Sequence, residues 1–176
     1  MLTGDASRAA APVHVVVLGV AGSGKTTVAK ALAGALGADF IEADGYHSQA
    51  NVAKMEAGIP LTDEDRGPWL AELAAATARA DAKGRSTVLA CSALRRAYRD
   101  VLRSGVPPST TLMVELDAPQ EELMRRMTGR SHFMPVSLLE SQMSTLEPLE
   151  GERGLRVDAR LAVPQIVAEV LAALID

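Results

Sequence analysis

Short apolar blocks alternate with longer amphipathic blocks along the chain, and each kind of block is typical of one kind of secondary structure. Apolar runs rich in β-branched residues predict five strands, over Val13–Gly19, Asp39–Glu42, Thr87–Cys91, Thr111–Leu116 and Leu155–Asp158. Stretches with helical spacing of apolar residues predict seven helices, over Lys25–Leu36, Ala50–Ala57, Pro68–Lys83, Arg95–Arg103, Pro119–Met127, Val136–Leu146 and Pro164–Ile175. Because strands and helices alternate, we expect an α/β fold with a five-stranded parallel sheet covered by helices on both faces.

A glycine-rich segment follows the first predicted strand directly. It reads GVAGSGKTT over residues 19–27 and matches the phosphate-binding pattern G-x-x-x-x-G-K-[ST], with Gly19, Gly24, Lys25 and Thr26 at the fixed positions. In this motif backbone N–H groups surround phosphate oxygens, the lysine reaches the β- and γ-phosphates, and the threonine hydroxyl ligates Mg²⁺. The motif requires a strand before it and a helix after it, and the pattern predicts both. The segment therefore predicts a nucleoside triphosphate site.

Composition narrows the possible functions. The 176 residues suffice for one domain with a full core, which we expect over residues 13–176 after a disordered tail at residues 1–12. The formal net charge of −4 gives no basic footprint for nucleic acid, and no apolar stretch reaches the ~20 residues that span a bilayer. The tail lacks the apolar region of a signal peptide, and a single cysteine fits a reducing compartment. We therefore expect a cytoplasmic protein without a nucleic-acid or membrane partner.

Polar residues collect just after the predicted strands, at the sheet edge where the phosphate loop lies. Asp44 is a candidate to hold Mg²⁺ or to accept a proton from an attacking hydroxyl, or it only forms an Asx turn. His47 is a candidate to bond a substrate hydroxyl, or it is an ordinary loop histidine. Arg66 can hold a substrate carboxylate through its planar fork, or it pairs with neighbouring acids. Arg95 and Tyr98 follow the third strand and are candidate contacts for an anionic substrate.

Other residues of these segments have a structural interpretation. Trp69 and Cys91 are expected in the core, the cysteine without a nucleophilic role because no activating partner is evident. Gly105, like three other glycines after predicted helix ends, is expected in a left-handed conformation. Four arginines of the fourth predicted helix are expected to form a solvated basic face, at Arg95, Arg96, Arg99 and Arg103.

A basic segment, MRRMTGRSHFMP over Met124–Pro135, follows the fourth strand and its helix. In a phosphate-loop kinase such a segment suits a closing lid, which brings cations to the transferring phosphoryl group and excludes water. The alternative interpretation is a basic loop between helices. Guanine recognition is not expected, because the chain has no N-K-x-D and its only D-x-x-G candidate, Asp81–Gly84, lies at a predicted helix end.

Taken in order, these segments resemble the gluconate kinases (gluconokinases), which are small relatives of shikimate and nucleoside-monophosphate kinases. The similarity covers about Val13 to the C-terminus, and its D-x-D-R and C-S-A-L blocks are far more specific than the phosphate loop alone. Beyond that loop, the motifs are D-x-x-H at Asp44–His47, N-x-x-K-M at Asn51–Met55, G-x-P-L-x-D-x-D-R-x-x-W-L at Gly58–Leu70, C-S-A-L-[KR]-x-x-Y-R-D at Cys91–Asp100, H-F at His132–Phe133 and S-Q-x-x-T-L-E at Ser141–Glu147.

The resemblance implies a three-layer P-loop kinase fold with a small lid, and Mg-ATP-dependent phosphorylation of D-gluconate at its 6-hydroxyl. Catalytic roles are implied for Lys25, Asp44 and the lid cation Arg130. The implied ATP contacts are Gly22, Ser23, Gly24, Lys25, Thr26, Thr27 and Arg126. Arg126 is implied to stack on adenine, and Thr26 is implied to ligate Mg²⁺ as well. The implied gluconate contacts are Asp44, His47, Arg66, Arg95, Tyr98, His132 and Gln142. Either Arg66 or Arg95 binds the substrate carboxylate.

Two alternatives belong to other classes, and a homodimer is expected only by analogy with related enzymes. The first alternative is a sister small-molecule kinase such as shikimate kinase; against it, Cys91-Ser92-Ala93 stands where that family has a run of glycines. The second is a non-enzymatic nucleotide switch; against it, the guanine motif is missing and a polar acceptor site is predicted.

Overall fold

Five parallel strands form a single sheet in the computed structural model, which describes residues 10–129 and 137–176. The strands are β1 His14–Leu18, β2 Asp39–Glu42, β3 Thr87–Ala90, β4 Thr111–Asp117 and β5 Gly154–Asp158. Their order across the sheet is β2-β3-β1-β4-β5, and every neighbouring pair is parallel. The expected parallel α/β fold is therefore confirmed, with each strand end within one residue of its predicted position. Most of the predicted tail lies outside the described residues.

Helices connect successive strands and follow the last one. In the described part of the chain they are α1 Lys25–Leu36, α2 Gln49–Glu56, α3 Asp63–Ala82, α4 Arg96–Arg103, α5 Gln120–Thr128, α6 Leu138–Thr145 and α7 Val163–Ile175. Two short 3₁₀ turns, Ala43–Tyr46 and Pro108–Thr110, were not predicted. The other helix ends lie within two residues of the prediction, except for the start of α3.

Helix α3 begins at Asp63, five residues before the predicted start at Pro68. The cause is a capping box: the Thr62 hydroxyl accepts from the Asp65 backbone N–H at 3.1 Å, and the Asp65 carboxylate accepts from the Thr62 N–H at 2.9 Å. Pro68 therefore lies inside the helix instead of opening it. Because the helix begins early, Arg66 lies within its first turns, next to the cleft at the carboxyl edge of the sheet.

The core has two layers, because the strands are buried on both faces. Val15 and Val17 of β1 pack with α1 and α7 on one face, whereas Val16 and Leu18 pack with α3 and α4 on the other. This burial explains why the β1 sequence is continuously apolar and does not alternate. Loops that follow β1, β2 and β3 meet at the carboxyl edge of the sheet, where the phosphate loop lies.

Two local expectations about the fourth helix are wrong. Gly105 does not have a positive φ; it is small because a Cβ there would lie 2.7 Å from the carbonyl oxygen of Ala74 on α3. The expectation of a solvated basic face is wrong for Arg99, because its side chain is 0% exposed and pairs with Glu152. Both residues instead bring α4 into close contact with its neighbours.

A buried polar cluster lies at the opposite, amino-terminal edge of the sheet. His14 is 1% exposed, and its two ring nitrogens lie 2.9 Å from Thr87 Oγ1 and 2.9 Å from Asp81 Oδ1. Both nitrogens are thus satisfied, as burial requires. Among the described helices, none has the length and apolar content needed to cross a bilayer.

Candidate active site

The phosphate loop has the backbone shape that its glycines predict. Gly22 and Gly24 have φ values of 80° and 91°, a region that L-residues with a Cβ avoid. No side chain of the described residues caps the N-terminus of α1, so the first N–H groups of this helix have no capping acceptor there. The Ser23 hydroxyl oxygen is buried and has no hydrogen-bond partner among the described residues. These features fit an anion held by the loop and the positive end of α1.

Lys25 and Thr26 begin α1 and face the end of β2. The Lys25 ammonium donates to the Val20 carbonyl at 3.1 Å, and burial lowers its pKa, an effect opposed mainly by the Asp44 carboxylate. The Thr26 hydroxyl donates to Glu42 Oε2 at 2.5 Å. Sequence reasoning missed Glu42, because it is the last residue of a predicted strand and belongs to none of the motifs. The sequence did offer one indication of its role, because Glu42 lies only two residues before the candidate Asp44.

Asp44 lies in the 3₁₀ turn directly after β2 and lines a cleft of about 220 Å³. Partial burial in the cleft raises the pKa of its carboxyl group, and the Lys25 charge opposes the rise. A raised pKa makes a carboxylate a better proton acceptor. The cleft thus brings a carboxylate and the phosphate loop to one cavity, an arrangement compatible with transfer of a phosphoryl group to a hydroxyl.

His47 and Arg66 form the far wall of the same cleft. The His47 ring stacks on Trp69 with centroids 4.1 Å apart, and burial, followed by the Arg66 charge, lowers the pKa of His47 to about 4. The imidazole is therefore neutral at pH 7 and can bond a hydroxyl. Trp69 is buried, as predicted, and its indole N–H donates to the Ala43 carbonyl at 2.8 Å.

Arg66 is oriented by the aromatic side chain of Tyr98. Its Nη1 donates to the Tyr98 hydroxyl at 3.1 Å, and its guanidinium carbon lies 5.2 Å from the centre of the Tyr98 ring. The Tyr98 hydroxyl in turn donates to Asp63. Among the described residues, Nε and Nη2 of Arg66 make no hydrogen bond, so one complete edge of the fork can receive a carboxylate.

Arg126 and Gln142 contact the phosphate loop from the side of α5 and α6. Arg126 lines the cleft and donates to the carbonyls of Ser23 at 3.3 Å and Ala159 at 2.7 Å. Gln142 Oε1 accepts from the Ala21 N–H at 2.7 Å. Both residues therefore brace the loop in this structure. Stacking of Arg126 on adenine and contact of Gln142 with an acceptor substrate stay predictions.

The remaining predicted site residues lie elsewhere or outside the description. Arg95 is exposed at the start of α4 and does not line the cleft, which makes Arg66 the better-placed arginine for a carboxylate. Arg130 and His132, with the second half of the predicted lid, lie outside the described residues. Cys91 is buried, as predicted, and burial raises the pKa of its thiol to about 12, which leaves it unsuited to nucleophilic attack.

Comparison with known proteins gives consistent matches over nearly the whole chain. Residues 15–149 match a family model described as an AAA domain. The chain is 45% identical over 171 residues to a probable gluconokinase of Xenopus tropicalis, covering 89% of this chain and 90% of the relative. It is 51% identical to a sugar kinase from Janibacter sp. HTCC2649, with a TM-score of 0.88 and coverage of 93% and 94% of the two chains. A gluconokinase structure from Sinorhizobium meliloti 1021 superposes with a TM-score of 0.83 at 45% identity, covering 94% and 93%.

Proposed function

The chain belongs to the gluconokinase family, and from this premise we propose that it transfers the γ-phosphoryl group of ATP to the 6-hydroxyl of D-gluconate. The products are 6-phosphogluconate and ADP. The observation that carries the proposal is the shared cleft: Asp44, His47 and Arg66 line the same cavity as Lys25 and Thr26. A small anionic polyol needs one fork for its carboxylate and several groups for its hydroxyls, and this cleft offers both.

The phosphate end of the cleft binds the triphosphate. Backbone N–H groups of residues 22–27 and the N-terminus of α1 hold its oxygens, and the Lys25 charge stabilises the phosphoryl group as it moves. The Thr26 hydroxyl would hold Mg²⁺, which would supply positive charge to the transferring phosphate group. Glu42 fits this role of Thr26, because it accepts the hydrogen bond that the hydroxyl donates and so leaves the oxygen lone pairs free to face a cation. Arg126 is the proposed adenine contact, and Arg130 the proposed lid cation.

The acceptor end of the cleft orients gluconate. Arg66 binds the carboxylate with its unengaged edge, while His47 and Tyr98 bond hydroxyls. The O6–H hydroxyl attacks the γ-phosphorus, its proton passes to the Asp44 carboxylate, and the bond from γ-phosphorus to the bridging oxygen breaks as ADP leaves. Phosphorylation of shikimate and a non-catalytic nucleotide switch are not favoured, because the relatives that match nearly the whole chain are gluconokinases.

A substrate panel tests the function. Purified protein with Mg-ATP is expected to release ADP with D-gluconate and at most marginally with shikimate, D-glucose or AMP, and ³¹P NMR should locate the phosphate on O6. Lys25→Ala, the control for contaminating kinases, should lower kcat about 10²-fold or more while the circular dichroism spectrum is unchanged. Faster ADP release with shikimate or AMP than with gluconate would contradict the proposal.

Further properties follow from the family alone. We expect a homodimer in the cytoplasm, and sedimentation equilibrium of the purified protein tests the oligomeric part of this expectation.

A further inference from the structure

The turn that follows β3, Ser92–Leu94, links the two halves of the cleft and is called the β3 turn below. The Ser92 carbonyl accepts from the N–H of Gly19, the first residue of the phosphate loop, at 3.3 Å. The side chains on either side of Ala93, those of Ser92 and Leu94, line the cleft. The part of the cleft wall that Ser92 and Leu94 form is called the acceptor wall below, and a displacement of this turn would change its shape.

The β3 turn has a backbone conformation that its own sequence does not favour. Ala93 has a φ of 44°, and it is the only non-glycine residue with a positive φ in the described ranges. Such a conformation costs an L-residue of order 1 kcal/mol and persists only where the surroundings fix it. Something outside the turn must therefore hold it.

Arg99 of α4 supplies that support. A guanidinium has five N–H donors, and in Arg99 each has an acceptor. Nη1 donates to the carbonyls of Ala93 at 3.0 Å and Leu94 at 3.2 Å, which are the two residues at the strained point. The other donors reach the Glu152 carboxylate, at 2.7 Å from Nη2, and the Pro148 carbonyl at 3.4 Å. The side chain is 0% exposed, so no water competes for these acceptors.

Glu152 fixes the orientation of Arg99. Its side chain is 1% exposed and receives both Nε and Nη2 of Arg99, a bidentate contact that sets the plane of the guanidinium. A buried ion pair generally contributes little net stability compared with an apolar packing of the same volume. What distinguishes this pair is the orientation that it gives to Arg99, because the two N–H groups of Nη1 then donate to carbonyls of the β3 turn.

We propose that Arg99, oriented by Glu152, is a positioning residue for phosphoryl transfer, because it holds the β3 turn in the strained shape that forms the acceptor wall of the cleft. The proposal rests on the proposed function. Arg99 touches neither substrate and acts through Ser92 and Leu94. Its removal should therefore weaken the productive binding of gluconate more than that of ATP.

Three variants test the proposal by steady-state kinetics with gluconate and ATP varied in turn. Arg99→Lys keeps the charge but loses the fork, and the gluconate KM should rise about tenfold or more while the ATP KM changes less than about twofold. Ala93→Gly removes the conformational cost of the turn without disturbing the buried pair, so alone it should leave the gluconate KM within about twofold of wild type, and added to Arg99→Lys it should recover part of the lost gluconate affinity. Arg103→Lys is the matched control: Arg103 also binds Glu152 but donates to neither turn carbonyl, so both KM values should stay at the wild-type level.

The outcomes separate the proposal from its premise. Wild-type ADP release with gluconate establishes the function independently of every variant. If Arg99→Lys does not fold, Glu152→Gln takes its place, because it keeps an acceptor for Arg99 but loses the bidentate charge pair, and it should raise the gluconate KM in the same selective way. Equal increases of the gluconate and ATP KM values in the variant that folds would overturn the positioning role, as would a failure of Ala93→Gly to recover any gluconate affinity in that variant.

Discussion

Replacing Arg66 with lysine tests how the substrate carboxylate is recognised. The Arg66 side chain is only 20% exposed, and its position is set before substrate arrives by the Tyr98 hydroxyl at 3.1 Å and the Tyr98 ring. Its acidic neighbour Asp63 lies 3.7 Å away and is 69% exposed, so this pair competes weakly for the fork. The unengaged edge of Arg66 can therefore form two charge-assisted hydrogen bonds with a carboxylate.

The magnitude follows from the loss of one of these two bonds. A hydrogen bond to a charged group contributes about 1.5–3 kcal/mol, and each 1.4 kcal/mol corresponds to tenfold in affinity. Arg66→Lys should therefore raise the gluconate KM about tenfold or more, while the ATP KM stays within about twofold. The assay is coupled ADP release with gluconate varied at saturating ATP.

Two controls sharpen this prediction. Arg95→Lys changes the competing arginine, which is exposed and does not line the cleft, and should leave the gluconate KM unchanged. D-Glucitol keeps the hydroxyl chain but has no carboxylate, so wild type and Arg66→Lys should turn it over equally. An unchanged gluconate KM in Arg66→Lys together with a large rise in Arg95→Lys would refute the assignment and move the carboxylate site to the start of α4.

Three further changes test the other groups of the cleft. Asp44→Asn should lower kcat about 10²-fold or more because the proton acceptor is lost; a change confined to the gluconate KM would make Asp44 a binding residue instead. Glu42→Gln should raise the Mg²⁺ concentration that gives half-maximal activity about tenfold, as measured by Mg²⁺ titration at fixed ATP, and an unchanged titration would separate Glu42 from the metal site. His47 has a pKa of about 4 in the folded protein against an ordinary value of 6.5, so the unfolded chain binds the imidazole proton more readily. The contribution of neutral His47 to the free energy of unfolding is therefore complete above pH 6.5 and is lost as the pH falls towards 4. Urea unfolding of wild type and His47→Gln at pH 7 and pH 4.5 should differ in this pH dependence by about 2 kcal/mol, and parallel losses would contradict the prediction.

Hydrophobic patterning predicted the layers and the strands of the fold because a parallel sheet buried on both faces leaves a plain signal in the sequence. Patterning was wrong at the start of α3, because Pro68 suits the first position of a helix, whereas the reciprocal bonds of Thr62 and Asp65 begin the helix five residues earlier. It failed for Gly105 as well, because the close approach of the Ala74 carbonyl joins residues distant in sequence.

The candidate site could be predicted where a local motif names its residues, and less well where a tertiary contact defines a role. The phosphate loop and Asp44 follow their strands, so topology alone brings them together. Arg99 looked like a surface cation, because its partner Glu152 is 53 residues away in sequence and no pattern connects them. Glu42 was missed for a related reason: only the folded chain brings it within 2.5 Å of the Thr26 hydroxyl.

The buried cluster of His14, Thr87 and Asp81 has a practical consequence for engineering. It sits at the amino ends of β1 and β3, and none of its three residues lines the cleft. Substitutions intended to change thermal tolerance can therefore be directed to this edge of the sheet, and substitutions intended to change acceptor preference to the other edge. Among the described residues, no side-chain hydrogen bond or ion pair joins this cluster to the residues that line the cleft. The free-energy effects of substitutions at the two edges are therefore expected to add, and each edge can be optimised in its own library before the two are combined.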